Sequence, residues 1–168
     1  PATQRGVFMS RKQWYSWEEM TRDVGSLCRE IVLDKFDPQV IVGLSRGGLV
    51  PGVMMSHWFN KPFKSVQASL RDFAEWENYL PRPTDERVLI VDDICDSGKT
   101  FRKIEQHIKG PRKGNPMEIQ CDVRFASLIW NNECEDNFEP HYYAQEMAKD
   151  SENIWLTFAW EEFWRPPV

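Results

Sequence analysis

Residues 87–100, RVLIVDDICDSGKT, are the stretch from which the fold of this chain can be inferred. The run over 88–91 is branched and apolar, which is typical of a strand buried on both faces of a parallel sheet. Two adjacent acids, Asp92 and Asp93, follow it, and a third acid and the small-residue sequence SGKT lead into a helical pattern. Backbone N–H groups in such a loop suit a phosphate. The neighbouring acids suit sugar hydroxyls, or a metal ion carried in with the phosphates.

A second stretch of the same design lies upstream. Residues 39–44 are predicted to form another buried strand, and the sequence SRGGLVPG at 45–52 follows it directly. Glycines in such a turn let a ligand approach the main chain, and the guanidinium of Arg46 presents a fork of donors that suits a phosphate. The same sequence also suits an ordinary strand-to-helix turn with a surface arginine, so both interpretations stay open on this stretch alone.

Helical and strand patterns alternate along the rest of the chain. Apolar spacing predicts a helix over 17–36, capped by Ser16 and stopped by Asp37-Pro38. Further elements are a short edge strand over 14–17, a helix over 53–60, strands over 63–69, 119–130, 141–144 and 154–160, and a polar, lid-like loop over 70–86. Such alternation implies parallel strands with right-handed crossovers. Ligands of such sheets bind beyond the carboxyl ends of the strands, where both turns fall.

Composition narrows the class of protein. The chain has 168 residues, enough for one domain with a real core, and a net charge of −5, which argues against a nucleic-acid-binding surface. Because it has no long apolar run, neither a membrane span nor a signal peptide is expected. The four cysteines lack CxxC spacing, so reduced thiols and a cytoplasmic location are expected rather than a zinc site.

At this point the motifs carry a family resemblance. VLIVDDICDSGKT resembles the phosphoribosyl pyrophosphate (PRPP) motif of type I phosphoribosyltransferases, and VGLSRGGLVPG resembles the pyrophosphate loop of their 6-oxopurine branch. The tryptophan-bearing segments at 17–20 and 155–161 are also similar, so the resemblance covers about 9–161. A Walker A loop is excluded, because its first glycine would have to stand where this chain has Asp93.

The resemblance implies an α/β fold of the type I phosphoribosyltransferase class. We expect a central, mainly parallel sheet flanked by helices, with a small C-terminal hood. Residues 1–168 would form a single domain, with an N-terminal extension over about 1–13, a lid loop over about 70–86 and the hood over about 141–164.

The same resemblance implies how PRPP is bound. Asp92 and Asp93 would bind the ribose 2′- and 3′-hydroxyls, with Asp93 nearest a Mg²⁺ ion. The 5′-phosphate would be wrapped by Asp96, Ser97, Gly98, Lys99 and Thr100. Pyrophosphate would be held by Ser45, Arg46 and Gly47, with Arg71 reaching it from the lid. In this family the peptide bond corresponding to Ser45-Arg46 is often cis.

Asp96 is the predicted catalytic residue. It lies between the phosphate loop and the base site, so its carboxylate would accept a proton from purine N7 as N9 bonds to C1 of the sugar. The same negative charge would stabilise positive charge that develops on the ribose.

The base side matches less well. The resemblance implies that Trp155 stacks on the base and that Leu156 offers backbone groups to its edge, although a tryptophan in an apolar strand also suits core packing. The family has a lysine at the end of the next-to-last core strand, which contacts the purine 6-oxo group, whereas this chain has Trp130 or Asn131 there. An amide can donate or accept, so the identity of the base stays open.

The expected function is transfer of the 5-phosphoribosyl group from PRPP to a nucleobase, most simply a purine, with Mg²⁺ as cofactor. The products would be a nucleoside monophosphate and pyrophosphate, and the expected assembly is a homodimer or homotetramer without a nucleic-acid or membrane partner. The alternative is a non-catalytic regulator on the same fold that senses PRPP or a nucleotide. The presence of Asp96 and of the hood favours the enzyme.

Overall fold

The computed structural model describes residues 10–67, 87–109 and 121–165. In chain order its elements are β1 (Arg11–Tyr15), α1 (Trp17–Leu33), β2 (Val40–Ser45), α2 (Leu49–Phe59), β3 (Phe63–Gln67), β4 (Arg87–Cys95), α3 (Lys99–Lys109), β5 (Asp122–Asn131), β6 (Tyr142–Met147) and β7 (Ile154–Phe158). The predicted lid over 70–86, with Arg71, lies outside the described residues. Within them, no helix is both long enough and apolar enough to cross a membrane.

In the part of the chain that the structure describes, five parallel strands form the main sheet, in the order β3-β2-β4-β5-β6. Leu89 and Val91 of the central strand β4 face a core layer shared with α1 and α2. Val88 and Ile90 face the opposite layer, which contains α3. Burial on both faces explains why the strand is apolar at every position of this run. The predicted α/β fold with helices flanking a parallel sheet is therefore confirmed.

Helix α1 begins where the sequence predicts. The Ser16 hydroxyl accepts a hydrogen bond from the Glu19 backbone N–H at 3.0 Å, and the Glu19 carboxylate accepts one from the Ser16 N–H at 2.7 Å. This is a complete capping box. The helix ends at Leu33 rather than near residue 36, because Lys35 adopts a left-handed φ of 57° and turns Phe36 back into the core.

The SRGG turn leads into a helix earlier than predicted. Helix α2 starts at Leu49 instead of residue 53, because Gly48 serves as its N-cap and accepts the Gly52 N–H at 3.0 Å. Pro51 lies in the first turn, where a missing N–H costs no helical hydrogen bond. The turn therefore places a helix N-terminus directly beyond β2.

Strand β4 is longer than the apolar run that predicted it. It continues through both acids to Cys95, with Asp92 opposite Ser127 and Ile94 opposite Ile129 in β5. The sequence interpretation, which placed Asp92 and Asp93 after the strand, is corrected here. Because successive strand residues point to opposite faces, the two carboxylates are directed to different sides of the sheet.

A separate two-stranded sheet is formed by the parallel pair β1 and β7, with Arg11 opposite Ile154 and Tyr15 opposite Phe158. Residues 11–13, predicted to belong to an N-terminal extension, are therefore part of a strand. Strand β6, predicted to belong to the hood, is instead the edge strand of the main sheet. The hood consists of β7, its partner β1 and the turns around them.

Candidate active site

The two predicted turns meet at the carboxyl ends of β2 and β4, which are neighbours in the sheet. A Cβ atom on Gly47 would overlap the carboxylate of Asp93, and one on Gly48 would overlap the Val91 carbonyl oxygen. Only glycines allow the SRGG turn to lie this close to β4. The peptide bond Ser45-Arg46 is cis, and the Arg46 side chain is exposed at the same edge.

A small pocket lies between the end of β4 and the N-terminus of α3. It is lined by Asp92, Ile94, Cys95, Asp96, Ser97, Gly98, Thr100 and Phe101. Gly98 adopts a φ of 78°, which suits glycine, and the Ser97 hydroxyl accepts the Lys99 N–H at 3.3 Å. The Ser97 carbonyl accepts the Asp136 N–H at 3.2 Å, which ties this loop to the segment after β5. A loop of this kind at a helix N-terminus suits a phosphate.

Lys99 is the one residue of the predicted phosphate loop whose side chain turns away. It is exposed and forms an ion pair with Glu135, and it does not line the pocket. Its backbone N–H nevertheless belongs to the loop, because it donates a hydrogen bond to the Ser97 hydroxyl. A part for Lys99 in wrapping the 5′-phosphate stays a prediction from the sequence.

The acid pair lies where neither carboxylate is well hydrated. Asp93 is buried against the SRGG turn, and Asp92 is half-buried in the pocket wall. Burial raises the pKa of Asp93 to about 6, and burial together with the adjacent Asp93 charge raises the pKa of Asp92 well above its usual range. No salt bridge to a described residue compensates these carboxylates. A bound cation would stabilise both in their ionised form.

Asp96 is held by two donors at the pocket rim. Its Oδ2 accepts from the Lys149 ammonium at 2.6 Å, and its Oδ1 accepts from the Asn131 amide at 3.2 Å. About half of the Asp96 side chain stays exposed, and a carboxylate has lone pairs for more than two donors. Asp96 therefore lies between this pocket and the hood, and its place between a phosphate and a base stays a prediction.

Asn131 is internal, with only 1% of its surface exposed. Its amide nitrogen donates to Asp96 and, at 3.3 Å, to Asp150, while its oxygen accepts the backbone N–H groups of Glu133 and Lys149 at 3.3 and 3.1 Å. Contact of this amide with a base stays a prediction. In the structure, the hydrogen bonds of Asn131 connect the end of β5 to the turn that precedes β7.

Trp155 and Leu156, the other predicted base-binding residues, differ in exposure. The Trp155 side chain is 56% exposed, which disagrees with the alternative that it packs in the core. Leu156 is buried in the core layer shared with α1, so only its backbone could serve a ligand. The hood therefore presents one indole ring to solvent close to Asp96, with the Lys149 ammonium 6.0 Å from the ring centroid.

Lys149 is the site residue that the sequence did not reveal. It lies in the turn between β6 and β7, far along the chain from Asp96, and no motif surrounds it. The only local signal is a single cation six residues before an exposed aromatic residue, which is common on protein surfaces. Tertiary structure alone brings the ammonium to the carboxylate.

A family model described as phosphoribosyl transferase domain matches residues 10–162, nearly the whole chain. The chain belongs to this family. Membership makes the protein a phosphoribosyltransferase, and it agrees with the acid pair and the phosphate loop at the end of β4. It also confirms the resemblance on which the sequence interpretation depends.

Individual relatives of this phosphoribosyltransferase have names that agree with the family match. The xanthine-guanine phosphoribosyltransferase of Idiomarina loihiensis is 30% identical over 165 residues, covering 93% of this chain and 91% of the relative. That of Chromohalobacter salexigens is 26% identical over 163 residues, covering 87% and 82%. Among solved structures, the purine phosphoribosyltransferase of Pyrococcus horikoshii superposes with a TM-score of 0.69 at 25% identity, covering 94% of this chain and 96% of that one.

Proposed function

We propose that this phosphoribosyltransferase transfers the 5-phosphoribosyl group from PRPP to a purine base, giving a purine nucleoside monophosphate and pyrophosphate. The observation that carries the proposal is the convergence of two phosphate-type turns on one acid pair, with Gly47 against Asp93 and Asp92 in the pocket wall. The names of the relatives, which are xanthine-guanine and purine phosphoribosyltransferases, support a purine acceptor.

Each part of PRPP has a matching surface. We assign the 5′-phosphate to the loop formed by Ser97, Gly98 and Thr100, where N–H groups at the start of α3 are available. We assign the ribose hydroxyls to Asp92 and Asp93, whose ionised oxygens accept hydrogen bonds. Pyrophosphate falls to the other turn, which is formed by Ser45, Arg46 and Gly47. The exposed guanidinium of this turn is a bidentate phosphate donor.

The acid pair also fits a Mg²⁺ ion. Mg²⁺ prefers oxygen ligands and is commonly bound through one or two carboxylates plus substrate phosphates. Asp92 and Asp93 supply two adjacent carboxylates without a salt-bridge partner among the described residues. The described part of the chain contains no cluster of three or more His, Cys, Asp or Glu side chains that could hold a metal ion without a substrate. When bound, the ion supplies charge neutralisation that makes pyrophosphate a better leaving group.

Asp96 performs the proton transfer in this proposal. The bond between purine N9 and ribose C1 forms as the bond between C1 and the pyrophosphate oxygen breaks, and the carboxylate takes the proton that the purine loses at N7. Until then its negative charge stabilises the positive charge on the ribose. Trp155 stacks on the base, which its exposure at the hood permits, and the Leu156 backbone lies along the base edge.

Pyrophosphate release with a panel of bases tests the proposal. The protein is incubated with PRPP and either guanine, xanthine, hypoxanthine or adenine, with Mg²⁺ present or removed by a chelator. We expect Mg²⁺-dependent pyrophosphate release with at least one purine. Tight PRPP binding without product from any base would favour the regulator that senses PRPP, and turnover unaffected by the chelator would remove the metal from the proposal.

We also propose a homodimer or homotetramer. Helix α2 exposes two large apolar side chains, Val53 and Trp58, the latter to 52%, and a second copy would bury the exposed Trp58. Light scattering after gel filtration should give a multiple of the 19.9 kDa chain mass, and Trp58→Glu should lower it. A monomeric wild-type protein would contradict this.

A cytoplasmic location is proposed from the cysteines. Cys28, Cys95 and Cys134 are buried thiols, and burial raises the pKa of the first two to about 12. Such thiols stay reduced in a reducing compartment. Fractionation of producing cells is the direct measurement.

A further inference from the structure

The side-chain amide of Asn131 makes all of its hydrogen bonds inside the protein. The residue is 1% exposed, although it ends strand β5 at the same edge of the sheet as the acid pair. Its Nδ2 carries two hydrogens and lies 3.4 Å from the Asp96 carbonyl oxygen, 3.2 Å from Asp96 Oδ1 and 3.3 Å from Asp150 Oδ2. Its Oδ1 accepts the N–H groups of Glu133 and Lys149. An amide enclosed in this way has no donor left for a bound base.

Asp96 is contacted by this amide at two points, its main-chain carbonyl and its carboxylate. Hydrogen bonds to both parts of one residue fix the direction of the carboxylate relative to its own backbone, on a loop where about half of the Asp96 side chain is exposed. The Lys149 ammonium contacts the other carboxylate oxygen at 2.6 Å, but it is a point charge on a flexible stem that can follow a carboxylate as it turns. Asn131 is the rigid partner of Asp96, because it is buried and belongs to a strand.

We propose that Asn131 is a positioning residue for the reaction, which holds the Asp96 carboxylate in the direction that proton transfer requires. The inference rests on the proposed function and adds to it a residue that acts through Asp96 and does not contact the base. A general base works only within hydrogen-bond reach of the proton that it takes, and a displacement of about 1 Å can cost about 100-fold in rate. Asn131 therefore affects kcat and leaves the KM of the base unchanged.

Two variants separate the two ends of the amide. Asn131→Asp has nearly the same shape and keeps an oxygen for the two backbone N–H groups, but it loses the donor to Asp96. Glu133→Ala does the reverse. It removes the carboxylate that accepts the N–H groups of Asp150 and Ser151 at 2.9 and 2.8 Å, so it loosens the turn before β7 and leaves the amide donor in place. Glu133→Ala is therefore the matched control.

Steady-state kinetics with PRPP and the purine on which the wild type is most active test the inference. We expect Asn131→Asp to lower kcat by about 10- to 100-fold, with less than about a threefold change in the KM of the base. Glu133→Ala should change kcat by less than about threefold. Equal losses of kcat in the two variants would assign the effect to the turn, and a raised base KM in Asn131→Asp would make Asn131 a base contact. Either result overturns the inference.

A double-mutant comparison shows whether Asn131 acts through Asp96. In Asp96→Ala there is no carboxylate to orient, so the addition of Asn131→Asp should lower the residual turnover by less than about twofold. A further loss as large as the loss in the wild-type background would mean that Asn131 serves the structure independently of Asp96. That result also overturns the inference.

Asn131→Ala covers the case in which repulsion from Asp96 and Asp150 keeps Asn131→Asp from folding, as judged by circular dichroism. The same loss of kcat and the same coupling to Asp96 are expected of it, and Glu133→Ala accounts for its effect on the turn. A wild type that releases no pyrophosphate with any purine ends the proposed function and the inference with it. Wild-type turnover with an effect of Asn131 that is independent of Asp96 ends the inference alone.

Discussion

Three carboxylates within five residues have three different environments. Asp92 lines the pocket at the start of α3, Asp93 lies against Gly47 of the other turn, and Asp96 is held between Lys149 and Asn131. Alternation along β4 separates the first two, and the loop beyond Cys95 carries the third towards the hood. In the proposed function, one short motif thus serves the phosphate, the ribose and metal, and the base.

Replacing Asp96 should separate catalysis from binding. We expect Asp96→Ala to lower kcat by about 100- to 10,000-fold, as for the loss of a general base, while the Kd of PRPP changes by less than about tenfold. Asp122→Ala is the control, because Asp122 lies at the amino end of β5 and the site lies at the carboxyl ends of the strands. Equal losses of turnover and PRPP affinity would show that Asp96 serves binding only.

Gly47 should tolerate no side chain. In Gly47→Ala the new methyl group would overlap the Asp93 carboxylate, and overpacking of this kind costs about 1–3 kcal/mol. We expect a lower unfolding free energy in urea and a PRPP Kd raised by about tenfold. Gly25→Ala is the control, because its methyl group would meet only the flexible Arg29 side chain at 3.4 Å, and alanine favours a helix by about 1 kcal/mol. Unchanged PRPP binding in Gly47→Ala would contradict the proposal that Asp93, which lies beside Gly47, binds PRPP.

Trp155→Ala should affect the base and leave stability unchanged. Stacking of a base on an aromatic side chain is worth roughly 1–3 kcal/mol, so the KM for the base should rise by about 5- to 100-fold. The melting temperature should change little because the side chain is exposed. Trp164→Ala, at another exposed tryptophan, is the control. An unchanged base KM with a lower melting temperature would assign Trp155 to the core.

The site residues that could be predicted from the sequence belong to continuous motifs. The acids of β4 and the glycines of both turns each lie within one short stretch, where local chemistry suggests a phosphate. Lys149 could not be predicted, because its contact with Asp96 joins the end of β4 to a turn beyond β6. Asn131 illustrates the reverse case: its place at the end of the strand was predicted, but its internal hydrogen bonds depend on residues of that same turn.

At the level of elements, the start of α1 was easier to predict than its end. The Ser16–Glu19 pattern marks the start of α1 by sequence alone, because a capping box is local. The left-handed conformation of Lys35, which ends the helix, has no such signal, since lysine rarely adopts it. Strand β4 extends past its apolar run because pairing with β5 outweighs the low strand propensity of aspartate.

The capping box of α1 gives a prediction for one element. Ser16→Ala removes the acceptor for the Glu19 N–H, which should lower the unfolding free energy by about 1 kcal/mol in a urea titration. Thr21→Ala is the control, because the Thr21 hydroxyl donates only an exposed hydrogen bond to the Trp17 carbonyl within the same helix. If both variants unfold alike, the cap contributes nothing.

At the level of the whole molecule, the buried Asp23 joins the hood to the main sheet. Its carboxylate accepts from the Tyr15 hydroxyl of β1 at 2.7 Å and from the Gln145 amide of β6 at 2.6 Å, and Arg22 completes the cluster at 3.0 Å. One side chain of α1 therefore connects the two sheets. Because β1 pairs with β7, which carries Trp155, we expect the position of Trp155 to depend in part on this connection.

Asp23→Ala should weaken both the fold and the base site. Each buried donor left without an acceptor costs about 1–3 kcal/mol, so a clearly lower unfolding free energy is expected in urea. The base KM should rise while the PRPP KM stays close to that of the wild type. Glu18→Ala, at an exposed position in the first turn of the same helix, is the control. An Asp23→Ala protein with wild-type stability would show that the hood is held by other contacts.

The parallel pairing of β1 with β7 also sets an order of events on the ribosome. Strand β1 is made long before its partner, and at about 5–20 residues per second the intervening chain takes roughly 7–28 s to synthesise. Both phosphate turns emerge during that interval and can pack, whereas β1 must wait for β7. A nascent chain halted just after β6 would carry the phosphate loop but lack Trp155. The proposed surface for the base is therefore the last part of the site that the growing chain completes.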